Sequence, residues 1–261
     1  MSISIDVASL ADALERAEHE RRQIAPLIEA GAFDATAAYA VQRETARRRI
    51  ARGDVQVGMK VGLTSEPMQR MLGVDEPDFG HLFETMRVAD GGSFPVSDLL
   101  QPKVEGEIAV VLHTELRGPG VTDEDVRAAC AYLTPAIEII DSRIRDWKIS
   151  LSDTIADNGS SARFVLGSAR VSPNALDAGG VTMTLFKNGT PVGNGTGSAV
   201  LGAGPFRAVA WLANTLAAAG LVLQPGYVVL PGALSAAIVV AGGDTIVAEF
   251  AGLGAVSVSF V

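Results

Sequence analysis

The spacing of hydrophobic and polar positions changes near residue 55. Before that point apolar residues recur every three to four positions, at Leu10, Leu14 and Ala17 and again at Ala38, Val41 and Ala46. This period predicts two helices, each with a buried stripe. Ser9 reads as the cap of the first and Asp34 as the cap of the second, which Gly53 ends. A short apolar run over residues 57–63 then predicts a strand, and Ser65 reads as the cap of a short helix over 67–72. From residue 105 onward strand and turn signals dominate. Residues 108–112 read as a strand. Thr122-Asp123-Glu124-Asp125 opens a helix with acids in its first turn, where the helix dipole favours them, and the helical pattern runs on through Cys130 to Leu133. Residues 181–186 and 191–192 flank Asn188-Gly189 and read as a hairpin. Pro205 starts a helix through Trp211 and Leu216 that Gly220 stops. The chain ends in strands over 227–230, 238–240, 245–250 and 255–260. Strands and helices do not alternate regularly, which argues against a doubly wound sheet. The fold class expected is α+β, with a helical N-terminal part (1–55) and a β-rich domain (56–261).

One polar pattern interrupts these apolar runs. Glu105 and Glu107 stand two residues apart in an extended segment, so they project to one face of a strand. Glu138 lies inside Pro135-Ala136-Ile137-Glu138-Ile139-Ile140, where a carboxylate would be buried and would need a partner. If the three converge they form a hard oxygen site suited to Mg²⁺ or Mn²⁺. The competing reading is two solvated glutamates at a strand edge, with Glu138 paired to Arg143 or Lys148.

Composition narrows the function classes. The 261 residues carry a formal charge of -9, which argues against nonspecific nucleic-acid binding. The basic cluster of Arg43, Arg47, Arg48, Arg49 and Arg52 sits beside Glu44 and reads as a solvated helix face or subunit contact. With 48% hydrophobic residues and few aromatics, the core must be built from Ala, Val, Gly and Leu. The single cysteine, Cys130, excludes an intramolecular disulfide and a cysteine-based zinc cluster. There is neither a signal-peptide pattern nor an apolar run long enough to span a bilayer, so a cytoplasmic protein without membrane contact is expected.

Further candidates lie elsewhere. Lys60, between Gly58 and Gly62, could enter a pocket, where desolvation would lower its pKa, or could be an ordinary exposed lysine. Asp78 falls in the turn-like Glu76-Pro77-Asp78-Phe79-Gly80. Asp157-Asn158-Gly159-Ser160-Ser161 could line a carboxylate pocket or be a simple turn. Gly193-Asn194-Gly195-Thr196-Gly197 lacks the spacing and the context of a nucleotide loop.

Five segments in order, 58–65, 71–82, 105–109, 137–148 and 156–161, resemble the 2-keto-4-pentenoate hydratases (2-hydroxypenta-2,4-dienoate hydratases) of meta-cleavage pathways. They also resemble the related 4-oxalocrotonate decarboxylases; both groups belong to the fumarylacetoacetate hydrolase superfamily. The resemblance implies a β-rich, partly rolled sheet domain, a divalent metal (Mg²⁺ or Mn²⁺) on Glu105, Glu107 and Glu138, and Lys60 and Asp78 near the substrate as acid/base or water-handling groups. Ser65, Asn158, Ser160, Ser161 and Gly232 are the expected substrate-binding positions. A homo-oligomer acting on a small 2-oxo or 2-hydroxy-dienoate is implied, as is a complex with the next enzyme of the pathway. Pro231 stands where a Thr or Ser often precedes the glycine, and Gly159 stands where an alanine is usual. The segments around Asp78 and Trp147 resemble hydratases more closely, and Ser235-Ala236-Ala237 leans toward decarboxylases. Hydratase is the reading favoured. A decarboxylase and a catalytically idle partner subunit are the alternatives.

Overall fold

The computed structural model describes residues 6–27 and 33–261; the remainder of the N-terminal part, 1–5 and 28–32, lies outside it. Two helices come first, α1 (Val7–Glu20) and α2 (Ala35–Ala51). Asp34 caps α2, its carboxylate accepting from the Ala37 N–H at 2.8 Å. The cap of α1 is Asp6 rather than Ser9, whose own N–H is one of the donors that Asp6 satisfies. A carboxylate in that position also complements the helix dipole.

The rest of the chain builds two sheets. The larger runs in the order β2 (Asp78–Phe83), β1 (Gln56–Gly62), β10 (Val228–Leu230), β5 (Lys103–Leu112), β6 (Cys130–Ile140), β7 (Ser161–Leu166) and β3 (Arg87–Val88), with β11 (Ile238–Val239) also on β5. The smaller runs β4 (Gly92–Phe94), β13 (Gly254–Phe260), β12 (Thr245–Phe250), β8 (Thr182–Lys187) and β9 (Thr190–Thr196). Pairing is mixed: β1 and β10 are parallel, and β5 and β6 are antiparallel. The β8–β9 hairpin turns at Asn188 (φ 52°) and Gly189 (φ 77°), the left-handed pair that an Asn-Gly turn supplies.

Side-chain alternation splits the larger sheet into two faces. Val104, Ile108, Val110, Ile137 and Ile139 face one way and join a core with α6 (Pro205–Ala217) and the smaller sheet. The sheets approach closely at Gly106, where a Cβ would lie 3.0 Å from Met183 Cε. The other face carries Leu82, Ala109, Ala136, Phe164 and Leu230, and it continues into the polar positions described below. A third cluster joins α1 and α2 to Ile144, and to Ile155 and Ala156 of α5 (Leu151–Ala156). The helical part therefore completes its core with residues from the β-rich part.

Two short helices, α3 (Glu66–Leu72) and α4 (Asp123–Ala129), lie in the connections. Thr122 caps α4 in a reciprocal box with Asp125. The helix ends at Ala129, and Cys130 opens β6 instead of continuing it. Apolar positions at 126, 129, 130 and 133 suit either element, and the strand wins through its long ladder with β5. Among the described residues no helix is long and apolar enough to cross a membrane.

Candidate active site

The centre of the site is made by the β5–β6 register. Glu105 on β5 lies directly opposite Glu138 on β6, and Glu107 follows on the same face of β5. One carboxylate oxygen from each of the three residues lies within 4.8 Å of the others. Glu107 and Glu138 are fully buried, and Glu105 is half-buried. Burial first, and then the neighbouring Glu138 charge, push Glu105 up to about 7. Burial, then Glu138 and Glu105, hold Glu107 well above the usual carboxylate range. Glu107 Oε2 accepts from the Gly232 N–H at 2.8 Å, while Glu107 Oε1 and both Glu138 oxygens have no hydrogen-bond partner. Buried, unpartnered carboxylate oxygens facing one another are unfavourable unless a cation neutralises them. An all-oxygen set of this kind fits Mg²⁺, Mn²⁺ or Ca²⁺.

Lys60 points into the same space from β1. Its Nζ lies 3.5 Å from Glu138 Oε2 and donates to the Gly159 carbonyl at 3.0 Å. The side chain is buried, which removes the exposed-lysine reading. Its charge state differs from the sequence expectation. Burial does act to lower the pKa, but Glu138, Asp78, Glu105 and Glu107 outweigh it and hold the ammonium above the ordinary lysine range. Neither Arg143 nor Lys148 is the partner of Glu138: Arg143 pairs with Asp157, and Lys148 lies 3.6 Å from Asp146.

Asp78 opens β2, directly across from Gly62, so it belongs to a strand and not to the turn before it. It is buried, and its Oδ2 accepts from the Thr154 hydroxyl at 3.0 Å, while Oδ1 has no partner. Burial raises its pKa, against the opposing effects of Lys60 and Thr154. Gly62 lets the Asp78 carboxylate pack closely against β1: a Cβ there would lie 2.1 Å from Asp78 Oδ1 and 3.1 Å from Lys60 Nζ.

The remaining expected positions divide. Gly232 (φ +128°) donates its N–H to Glu107, and a Cβ on it would lie 2.2 Å from Thr64 Oγ1. Asn158, Gly159 and Ser160 are three consecutive left-handed residues, a strained run of the kind found at functional sites. The bend carries the Gly159 carbonyl onto Lys60. The Asn158 amide is engaged by the backbone of His81, accepting at 2.7 Å and donating at 2.9 Å, so it clamps β2. Ser160 and Ser161 are buried with unpartnered hydroxyls. Ser65 is half-buried at the head of α3, and its hydroxyl makes no cap bond. Thr154 and Thr64 have no local sequence signal, and Gly62 is marked in the sequence only as a neighbour of Lys60. A cleft of about 630 Å³ opens elsewhere, near Glu15, Arg49 and Arg52, and none of its lining residues belongs to the carboxylate cluster.

Residues 48–261 match the fumarylacetoacetate (FAA) hydrolase C-terminal family. The chain is 46% identical over 225 residues to a 2-hydroxyhexa-2,4-dienoate hydratase of Comamonas testosteroni, covering 85% of each protein. It is 45% identical over 261 residues to a 2-keto-4-pentenoate hydratase of Burkholderia vietnamiensis, covering 100% of this chain and 99% of the relative. Among solved structures, a 4-oxalocrotonate decarboxylase of Pseudomonas putida G7, complexed with magnesium and adipate, superposes with a TM-score of 0.95 at 40% identity, covering 98% of this chain and 97% of the other.

Proposed function

Since the chain belongs to the fumarylacetoacetate hydrolase family, and its site sets three carboxylates beside a buried lysine and aspartate, we propose that it is a metal-dependent hydratase of meta-cleavage aromatic catabolism. It adds water to a 2-hydroxy-2,4-dienoate (2-keto-4-pentenoate) and gives a 4-hydroxy-2-oxo acid. The observation that carries the reading is the Glu105–Glu138 cross-strand pair, with unpartnered buried oxygens and Lys60 alongside.

Glu105, Glu107 and Glu138 would hold the cation. When bound, a divalent cation supplies Lewis-acid polarisation of the substrate's carboxylate and 2-oxygen. The reaction needs five proton or water events: loss of the 2-hydroxyl proton, protonation at C5, attack of a water oxygen at C4, loss of a proton from that water, and protonation at C3. The net change is one water added. Lys60, whose buried Nζ stands 3.5 Å from Glu138 Oε2, is assigned as the hydrogen-bond and proton-transfer group beside the developing enolate oxygen. Asp78, buried beside Lys60 and with its affinity for a proton increased by burial, is assigned to orient water and accept its proton. Gly62, lacking a Cβ, lets the Asp78 carboxylate pack against β1 beside Lys60.

The likeness to a decarboxylase over nearly the whole chain favours one second reading, loss of CO₂ from a 2-oxo-3-enedioate. Product analysis separates the two. Incubation with 2-hydroxypenta-2,4-dienoate should give 4-hydroxy-2-oxopentanoate, and faster CO₂ release from 2-oxohex-3-enedioate would assign the decarboxylase instead. A cytoplasmic homo-oligomer, alone or with the next enzyme of the pathway, completes the proposal. Light scattering of the purified protein checks the assembly.

A further inference from the structure

The segment matching the family begins at residue 48, yet a side chain that precedes it reaches the site. Gln42 lies in α2 and is 1% exposed. Its Nε2 donates two hydrogen bonds of 2.7 Å each, one to the Phe79 carbonyl of β2 and one to the Ile155 carbonyl of α5. Phe79 directly follows Asp78. Ile155 directly follows Thr154, whose hydroxyl donates to Asp78 Oδ2. One amide therefore ties together the two backbones that hold the aspartate and its hydrogen-bond donor. Tyr39, one turn earlier on the same helix face, stacks on the Phe79 ring at a centroid distance of 4.4 Å and adds an apolar grip on the same residue.

A buried glutamine that only fills space is an unfavourable choice. Its Oε1 has no hydrogen-bond partner, an arrangement that an apolar side chain of similar size would avoid. What the amide provides is two donors from one atom, spanning strand and helix. We infer that Gln42 is a positioning residue: it fixes Asp78 and Thr154 at their working separation, and through it the N-terminal helical part takes part in catalysis. The inference rests on the assignment of Asp78 to the reaction.

Gln42→Met keeps the volume and removes both donors. In folded, metal-loaded enzyme it should lower kcat on the dienoate by roughly 10–100-fold, since small misplacements of reacting groups are amplified in rate, while KM and the Mg²⁺ affinity stay near wild type. Val41→Ala, one position away in the same helix and fully buried among the helical-part residues, is the control for lost stability and should keep kcat. Thr154→Val should reproduce the kcat loss, and adding Gln42→Met to it should lower kcat little further, because both act on Asp78. Gln42→Asn, too short to span both carbonyls, is the milder variant should Gln42→Met fold poorly, and it should lose kcat by a smaller factor. Wild-type kcat in folded Gln42→Asn or Gln42→Met, a loss matched by Val41→Ala, or full additivity with Thr154→Val would each overturn the inference. If the wild-type enzyme does not hydrate the dienoate at all, the fault lies with the functional assignment and not with Gln42.

Discussion

Lys60 is the residue of the proposed site that the sequence described least well. Its place between two glycines of a short strand was legible, but its charge state was not. Without a cation, burial lowers its pKa and Glu138, Asp78, Glu105 and Glu107, which arrive from three other strands, raise it. Lys60→Met removes the proton and the charge but keeps the bulk. It should lower kcat by roughly 10²–10⁴, the range expected of a general acid. Mg²⁺ binding should not weaken, since a cation leaves the neighbourhood of the carboxylates; stopped-flow kinetics and calorimetric titration check the two halves. Gly62 gives a second test at this scale. In Gly62→Ala the new methyl overlaps Asp78 Oδ1, which must move. Turnover should fall by roughly 10²-fold or more with metal binding retained. Wild-type turnover in this variant would show that the corner between Asp78 and Lys60 is not where the reaction occurs.

At the scale of elements the decisive feature is register. The i, i+2 spacing of Glu105 and Glu107 and the apolar frame of Glu138 were visible in the sequence, because a strand's two-residue period is local. That Glu105 meets Glu138, and not Ala136 or Ile140, is fixed by the whole β5–β6 ladder. The same ladder converts Cys130 from an apparent helical position into the start of a strand. Bringing like charges together across a strand pair is unfavourable without a counterion, so the metal-free protein should gain stability when one charge is removed. Glu107→Gln can still accept from the Gly232 N–H, and it should stabilise the EDTA-treated protein by roughly 1 kcal/mol. It should also lose most of the stabilisation that Mg²⁺ gives the wild type. Thermal unfolding with EDTA and with Mg²⁺ checks both; an unchanged metal response would remove Glu107 from the ligand set.

The whole molecule holds what no local pattern contains. In the larger sheet β10 sits between β1 and β5, so strands more than a hundred residues apart in sequence complete the space between Lys60 and the glutamates. The helical part shares its core with α5 and, through Gln42, reaches β2. The one sequence sign of this was a polar residue within the apolar stripe of α2. A global consequence of this packing is a pH dependence of stability. His81 is buried with neither ring nitrogen hydrogen-bonded. Burial first, and the Arg43 charge second, lower its pKa to about 4, against about 6.5 in an unfolded chain. Between these values the unfolded state binds a proton that the folded state refuses, so the stability due to a neutral His81 is full above pH about 6.5 and lost as the pH falls toward about 4. His81→Phe should remove this slope, and the difference between variant and wild type should grow on acidification by roughly 3 kcal/mol. Urea unfolding at pH 7, 5.5 and 4.5 reads it, and parallel curves would contradict it.

The claim on which the rest depends is that the three glutamates work by holding a divalent cation. The most direct measurement is the rate of 4-hydroxy-2-oxopentanoate formation by metal-stripped enzyme as Mg²⁺ is titrated back. The rate should start near zero and saturate at one cation per chain, with Glu138→Gln inactive throughout. Full turnover in EDTA, or wild-type activity in Glu138→Gln, would contradict the account.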